Sequence, residues 1–385
     1  LEAFDQARLF RARVGVAAVF GLNGFGYGSW VPRIAEIKDG LGLSAGELGI
    51  ALFMAAAGAL LTMPLAGAAA HRHGSRAASA VTVVCYGLSF PGLALAPGPL
   101  WLGGALLLMG AAAGALDVSM NAQGVVVEKH RRRPTMSSLH GMFSLGAMAG
   151  AGATGLIAAA DIGLLPHLLG VGVLILAVGL IACWPMLPAT AEGGAPGHGF
   201  ARPSLALLLP GIVGLAGLLS EGAMADWSAV YLSASLGAGT TMAAAAFAAF
   251  SLTMAGGRFT GDRLVAKVGG DAVVRAGGAL AATGLGLTLV IGHAAIAVFG
   301  FALVGAGLSC VFPVVLSSAA RTSGVAPSAA IAAICTISYL AFLVGPPAIG
   351  GLAELIGLPA ALGIVVLLCG LIALLGSRPP ATGSA

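Results

Sequence analysis

An all-α membrane protein of twelve transmembrane helices, arranged as two pseudo-symmetric six-helix bundles, is predicted by three features of this chain. Long apolar runs follow one another with short gaps, the basic residues collect in every second gap, and one long polar interruption divides the runs into two sets. Of 385 residues, 58% are hydrophobic and only 8% charged, with a mean hydropathy of +1.01. A water-soluble domain cannot cover that much apolar surface with polar groups. A hydrocarbon core about 30 Å thick takes roughly 20 apolar residues per helix, so the length allows about twelve spans. Runs this long and continuous specify helices and not barrel strands.

The first run, 12–32, follows Arg8, Arg11 and Arg13. The second and third, 46–69 and 77–96, flank the gap that holds Arg72 and Arg76. The fourth, 100–127, ends at Glu128, and Lys129 to Arg133 part it from the fifth, 134–160; the sixth covers 164–187. The later runs are 204–233, 241–265, 271–291, 294–318, 326–350 and 354–376. With the N-terminus cytoplasmic, only Arg33 and Lys38 of the 18 basic residues lie in outward gaps, which is the orientation that the positive-inside rule selects. Both termini are then cytoplasmic.

The segment LPATAEGGAPGHGFARPS is rich in Pro, Gly and Ala and reads as a flexible linker. It divides the chain into an N-terminal bundle over 1–187, a cytoplasmic linker over 188–203, a C-terminal bundle over 204–378 and a tail over 379–385. An internal echo supports the duplication: Gly67 and Arg72 match Gly257 and Arg263, and Ser29-Trp30 matches Asp226-Trp227. Duplicated halves around a central axis are a common plan for carriers. Small-residue spacings such as Gly146 to Gly150 carry little weight here, because 61 glycines produce them by chance.

The net charge of +4 and pI near 9.0 do not point to nucleic acid, since the basic residues sit in isolated loops without interleaved aromatics. Cys85, Cys183, Cys310, Cys335 and Cys369 all fall in apolar runs without a C-x-x-C pair, so buried free thiols are expected and neither a disulfide framework nor a metal site. No cleavable leader is recognised before the first run, and the missing initiator Met suggests a trimmed chain.

Carboxylates inside a membrane are expensive to hold charged and are functional candidates by default. Asp117 lies eleven residues, about 16 Å of helix rise, before Glu128, which places it near the midplane. That depth makes it a candidate for reversible protonation, against the alternative of an Asp that only locks helix packing. Asn121, four residues on, shares its face. Glu221 falls near the middle of the seventh span and is a second candidate for proton or solute. Asp226, about 140° further round the helix, suits an outer gate. Trp227 fits an interfacial aromatic belt or a stacking contact with solute equally well. His140, at the start of the fifth span, is either a titrating gate residue or a structural His near the entrance. Asn23, Tyr27, Phe143, Phe312 and Tyr339 supply a polar-aromatic lining or else pack the bundle. No H-E-x-x-H, G-x-S-x-G or P-loop pattern is present, so the chain is read as a non-enzyme without cofactor, drawing any energy from a gradient.

The loop GAAAHRHGSR, with Gly67, His71, Arg72, Gly74 and Arg76, resembles the signature between the second and third helices of the major facilitator superfamily. A second copy, GGRFTGDRLVAK, keeps Asp262 and Arg263 beside Arg258. The resemblance implies a gating role for these residues at the cytoplasmic face, with His71 standing where the family's acid is found. GALDVSMNAQGVVVE, LHGMFSLGAMAGAG, SEGAMADW and YLAFLVGPPAIGGLAE resemble the YbjJ-like group of bacterial inner-membrane proteins over nearly the whole chain. Asp117-x-x-x-Asn121 is more distantly similar to fucose permease, where an acid there takes part in proton coupling; that permease's second acid, in its first helix, corresponds to Gly28 here. PPAIGG resembles an element of drug/proton antiporters, but it lies in the eleventh span and not the fifth, which counts against drug efflux.

These readings converge on a secondary transporter in the bacterial inner membrane that moves a small polar solute by alternating access, coupled to protons through Asp117 and acting as a monomer. An uncoupled facilitator, a drug/proton antiporter and a non-transporting solute sensor are the alternatives.

Overall fold

The structure, a computed structural model, describes residues 4–132, 135–191, 205–319 and 327–376. Most of the expected linker, the tail over 379–385 and the basic residues Arg133, Arg202, Arg321 and Arg378 lie outside the described residues. Among the described residues the regular structure is entirely helical. It comprises α1 (Gln6–Trp30), the short α2 (Ile34–Gly40), α3 (Ala45–His73), α4 (Ser75–Ala94), α5 (Pro99–Arg131), α6 (Met136–Ala159) and α7 (Leu164–Cys183). It continues with α8 (Leu205–Val230), α9 (Thr240–Val268), α10 (Gly270–Ile291), α11 (Ala294–Leu308), α12 (Val311–Ala319), α13 (Pro327–Ile356) and α14 (Leu358–Leu375).

Local chemistry fixes the helix starts. The Asp5 side chain accepts the Arg8 N–H at 2.6 Å, and Ser44 with Glu47 closes a reciprocal capping box on α3. Glu128 reaches from the end of α5 to accept the N–H groups of Thr135 and Met136, placing an anion on the N-terminus of α6. Two expected spans are not plain α-helices. The tenth breaks at Ser309 into α11 and α12; the Ser309 hydroxyl bonds back to the Ala306 carbonyl at 2.7 Å, a competition that weakens the local ladder. The seventh leaves α-geometry in a π turn over Tyr231–Ser235.

Eleven of the described helical segments are long and apolar enough to cross a bilayer. α1 falls short because it carries Arg8, Arg11 and Arg13 and the five glycines Gly15, Gly21, Gly24, Gly26 and Gly28; it is nevertheless a span-length helix packed among the others. Large apolar side chains such as Leu65, Leu156, Val290 and Leu367 point outward, as lipid-facing groups do.

α1 packs on α6 and α7, α3 on α5, and α4 on α5 and α7. In the second bundle α8 packs on α13 and α14, while α10 packs on α11 and α14 and α9 on α11. The bundles meet where α6 lies along α9 and α3 along α13. Their duplication is visible in the backbone. α3 ends on Gly74 (φ 86°, ψ 145°) and α9 on Gly269 (φ 87°, ψ 150°), and in both cases the next helix begins on the following residue. Only glycine adopts that conformation readily, so the same turn closes the second span of each half.

The small-residue spacing at Gly146 and Gly150 turns out to be structural, contrary to expectation. A Cβ at Gly146 would run into the Gly21 carbonyl of α1, and one at Gly150 into that of Phe25. Lipid tails are as apolar as side chains, so close backbone contact and dispersion hold such helices together. Gly146→Val is expected to destabilise the fold by about 1–3 kcal/mol. Gly152→Val, where a Cβ meets nothing within 4 Å, is the matched control; thermal unfolding in detergent compares them. Cys85 also departs from expectation: it is exposed on the outer surface of α4, while Cys183, Cys310 and Cys369 are buried.

Candidate functional site

The face where α1 begins and α14 ends is called here the terminal face. Asp117 lies fourteen residues, about 21 Å, from the Arg131 end of α5, and Glu221 lies sixteen residues, about 24 Å, into α8 from Leu205, so both sit at mid-depth. Asp117 is half-buried, and Asn121 one turn away donates to its carbonyl at 2.8 Å and its carboxylate at 3.1 Å. Tyr339 of α13 lies within electrostatic reach of both Asp117 and Glu221, and Tyr27 of α1 within reach of Glu221 and Asp226. Tyr339 therefore has acids of both halves near it, and Glu221 has tyrosines of both halves near it. Rings gather around them: Tyr27 meets Phe143 and Phe247 at centroid distances of 6.0 and 6.1 Å, and Phe312 stacks on Tyr339 at 6.2 Å.

Arg258 does not join the loop residues of its motif. It points into the bundle, where Nη2 donates to Glu221 at 2.9 Å and Nη1 to the Ser144 hydroxyl of α6 at 2.8 Å. One guanidinium thus neutralises an acid of its own half and holds a helix of the other. Neither contact was expected, although Ser144 lies in the LHGMFSLG segment and Glu221 in SEGAMADW. His140, one turn before Ser144, is exposed and set edge-on to Phe20 at 5.2 Å. Asn23 is only 6% exposed, with its amide 3.9 Å from the Met120 sulfur, so it sits at the α1–α5 contact.

At the terminal face His71, Arg72, Asp262 and Arg263 are exposed, and none of them forms an ion pair among the described residues. Arg76 lies over the Trp184 ring at 5.8 Å. The opposite face is closely packed at the α3–α13 crossing. Trp227 is fully buried, which removes it from a lipid-facing belt; its ring fills the slot left by Gly350 of α13. Trp30, its echo in the first half, is also buried at 4% exposure. α3 and α13 cross backbone to backbone, with Gly49 against Pro346 and Gly350 against Ala45.

The Gly46 N–H in the first turn of α3 donates to Glu354 of α13 at 2.7 Å, so a carboxylate from one half caps a helix N-terminus of the other. Sequence reading gave Glu354 no role; its signal was an acid closing the GPPAIGGLAE segment opposite the S-x-x-E start of α3. Two recesses of about 370 and 400 Å³ mark the seam outside this closure and share Glu36, Gly239 and Thr240. Glu354→Ala is expected to loosen the seal. The readout is severalfold faster labelling, by an impermeant maleimide added at the opposite face, of Tyr27→Cys in a background lacking the native cysteines.

The family described as the Major Facilitator Superfamily matches residues 16–219. An uncharacterised MFS-type transporter of Yersinia pestis is 34% identical over 358 residues, covering 92% of each chain. The membrane protein MosC of Rhizobium meliloti is 33% identical over 354 residues, covering 91% of this chain and 86% of that one. Among solved structures, a mutant of the nucleoside transporter NupG superposes with a TM-score of 0.76 at 11% identity, covering 94% of this chain and 98% of that one, a likeness of fold alone.

Proposed function

This chain belongs to the Major Facilitator Superfamily and is a multi-pass membrane transporter, and on that premise we propose that it moves a small polar solute by alternating access, coupled to protons through Asp117. The observation that carries the proposal is the placement of Asp117 and Asn121 on one bundle across from Tyr339 and the Glu221–Arg258 pair on the other. A solute held between them contacts both halves, so its binding energy biases which way they rock. A proton on Asp117 biases the same equilibrium, and two ligands that favour one state are linked by necessity.

The close packing at the opposite face, and His71, Arg72, Asp262 and Arg263 at the terminal face, which form no ion pair among the described residues, support a state open toward the termini. The positive-inside pattern makes that side the cytoplasm of a bacterial inner membrane. The chain acts as a monomer with a single solute path, and Tyr27, Phe143, Phe312 and Tyr339 shape the solute's apolar faces. Asp226 lies near Tyr27 on the side of the opposite face, and His140 lies on the terminal side beside Phe20.

The test begins with a thermal-shift screen of metabolites on purified protein, because a ligand selective for the folded carrier raises its apparent stability. Uptake of the stabilising solute into proteoliposomes with an imposed pH gradient then follows. Accumulation above the external concentration supports the proposal. Equilibration alone identifies a facilitator in which Asn121 merely anchors Asp117, and binding without flux identifies a sensor.

A further inference from the structure

We propose that the smaller recess at the opposite face is a binding site for a free α-amino acid, separate from the mid-depth acids and independent of proton coupling. The recess, about 370 Å³, is walled by both halves: Arg33 and Glu36 lie just past the end of α1, Asp161 and Gly163 in the turn into α7, and Gly239 and Thr240 at the start of α9. Its volume lies in the range of sites for small ligands. Gly163 and Gly239 are the N-caps of α7 and α9, and neither helix start carries a side-chain cap. First-turn N–H groups lack intrahelical acceptors and sit at the positive end of the helix dipole, which favours an anion there.

Buried side chains point to the same end of the ligand. Arg33 is 3% exposed; its Nη1 donates to Glu36 at 2.5 Å and its Nη2 to the Ile162 carbonyl at 2.9 Å, while its Nε–H has no partner. His167, one turn into α7 and within electrostatic reach of Arg33, is 4% exposed and has no partner on either ring nitrogen. Buried donors are nearly always met, so donors left open beside a recess mark the place of an acceptor. Two carboxylates also line the recess. Glu36 is matched by Arg33, whereas Asp161 is exposed and makes no ion pair among the described residues. A simple anion would be repelled by Asp161, and a simple cation would leave the N–H groups unmet. A zwitterion satisfies both. Asp161 is two residues from Gly163, so the two charges are close together, as they are on a single α-carbon. Ala158 and Ile162 supply an apolar wall for the side chain.

The experiment records the thermal midpoint of the purified protein with each common α-amino acid in turn, and then with the amine and the carboxylate that make up the halves of the best one. Two surface variants locate the binding. Gly239→Asp, at φ −78° where an added Cβ meets nothing within 4 Å, gives α9 a cap of the chain's own in place of the ligand carboxylate. Asp161→Asn removes the charge at φ 54° with a residue that tolerates the left-handed backbone. The wild type is expected to gain stability with the intact amino acid and with neither half at equal concentration. Gly239→Asp is expected to start from a higher midpoint and to lose the shift, and Asp161→Asn to need about tenfold more ligand for it. O-phosphoethanolamine carries the same pair of charges as a lipid headgroup and is the last probe. Stabilisation by it and by no amino acid assigns the recess to lipid and overturns the proposal. So does a wild type that no probe shifts, or an amino-acid shift left undiminished in either variant. The readout needs neither solute flux nor a pH gradient, so an uncoupled carrier leaves the proposal standing.

Discussion

Asp117→Asn is expected to abolish accumulation of solute against its gradient while exchange of solute across a de-energised membrane survives. The argument is local. Asn121 donates to both the carbonyl and the carboxylate of Asp117, and an amide oxygen at position 117 accepts the same bond, so the face of α5 is preserved. What is lost is the ability to carry a proton. At one proton per solute, a gradient of one pH unit supports about tenfold accumulation. The wild type should approach that ratio and the variant should fall to about 1, measured as internal over external label at steady state. A variant that still concentrates solute would place the coupling elsewhere.

Gly350→Leu is expected to stop transport at least as completely, for a mechanical reason. The α3–α13 crossing leaves no space at Gly350: a Cβ there meets the Ala45 carbonyl, the Gly49 backbone and the Trp227 ring. A leucine holds the two halves apart at the face that the proposed alternating access closes in every cycle. Trp227 of α8 is the one within-bundle neighbour at that point; the packing of α3 on α5 and of α8 on α14 does not pass through it. Solute flux should therefore drop by about tenfold or more, by analogy with the effect of small misplacements on positioned reactions. The thermal midpoint should move far less than in Gly146→Val. Persistent labelling of Tyr27→Cys from the opposite face would show that the carrier is held open there. Normal flux would mean that α3 and α13 do not form the seal.

The helices were legible in the sequence because lipid demands long apolar runs, and the paired halves because the loop after the second span recurs after the eighth. Gly74 and Gly269 show why that recurrence survives: a φ near +86° restricts the position to glycine. The place of Asp117 along its helix was legible too, since counting from Glu128 sets it near the middle of α5. What a single chain does not encode locally is which side chains meet across the bundles. Arg258 sits 37 residues from Glu221 and 114 from Ser144, and its motif neighbours Asp262 and Arg263 pointed to a loop role that its own contacts do not follow. Glu354 reaches Gly46 across 308 residues. Trp227 reads in the sequence as an interfacial ring or a solute-stacking one, and only the glycine opposite it shows that it packs at the α8–α13 contact. The Gly146–Gly150 spacing was obscured by the very abundance of glycine that builds the bundle.

Proton movement driven by solute itself tests the central claim most directly. Purified wild type and Asp117→Asn, each in proteoliposomes with no imposed gradient, receive the transported solute while external pH is recorded in a weakly buffered medium. The account predicts that solute entry or exit moves protons in a fixed ratio with the wild type, and that Asp117→Asn passes solute with no pH change. An undiminished pH change with Asp117→Asn, or solute flux without one in the wild type, would contradict it.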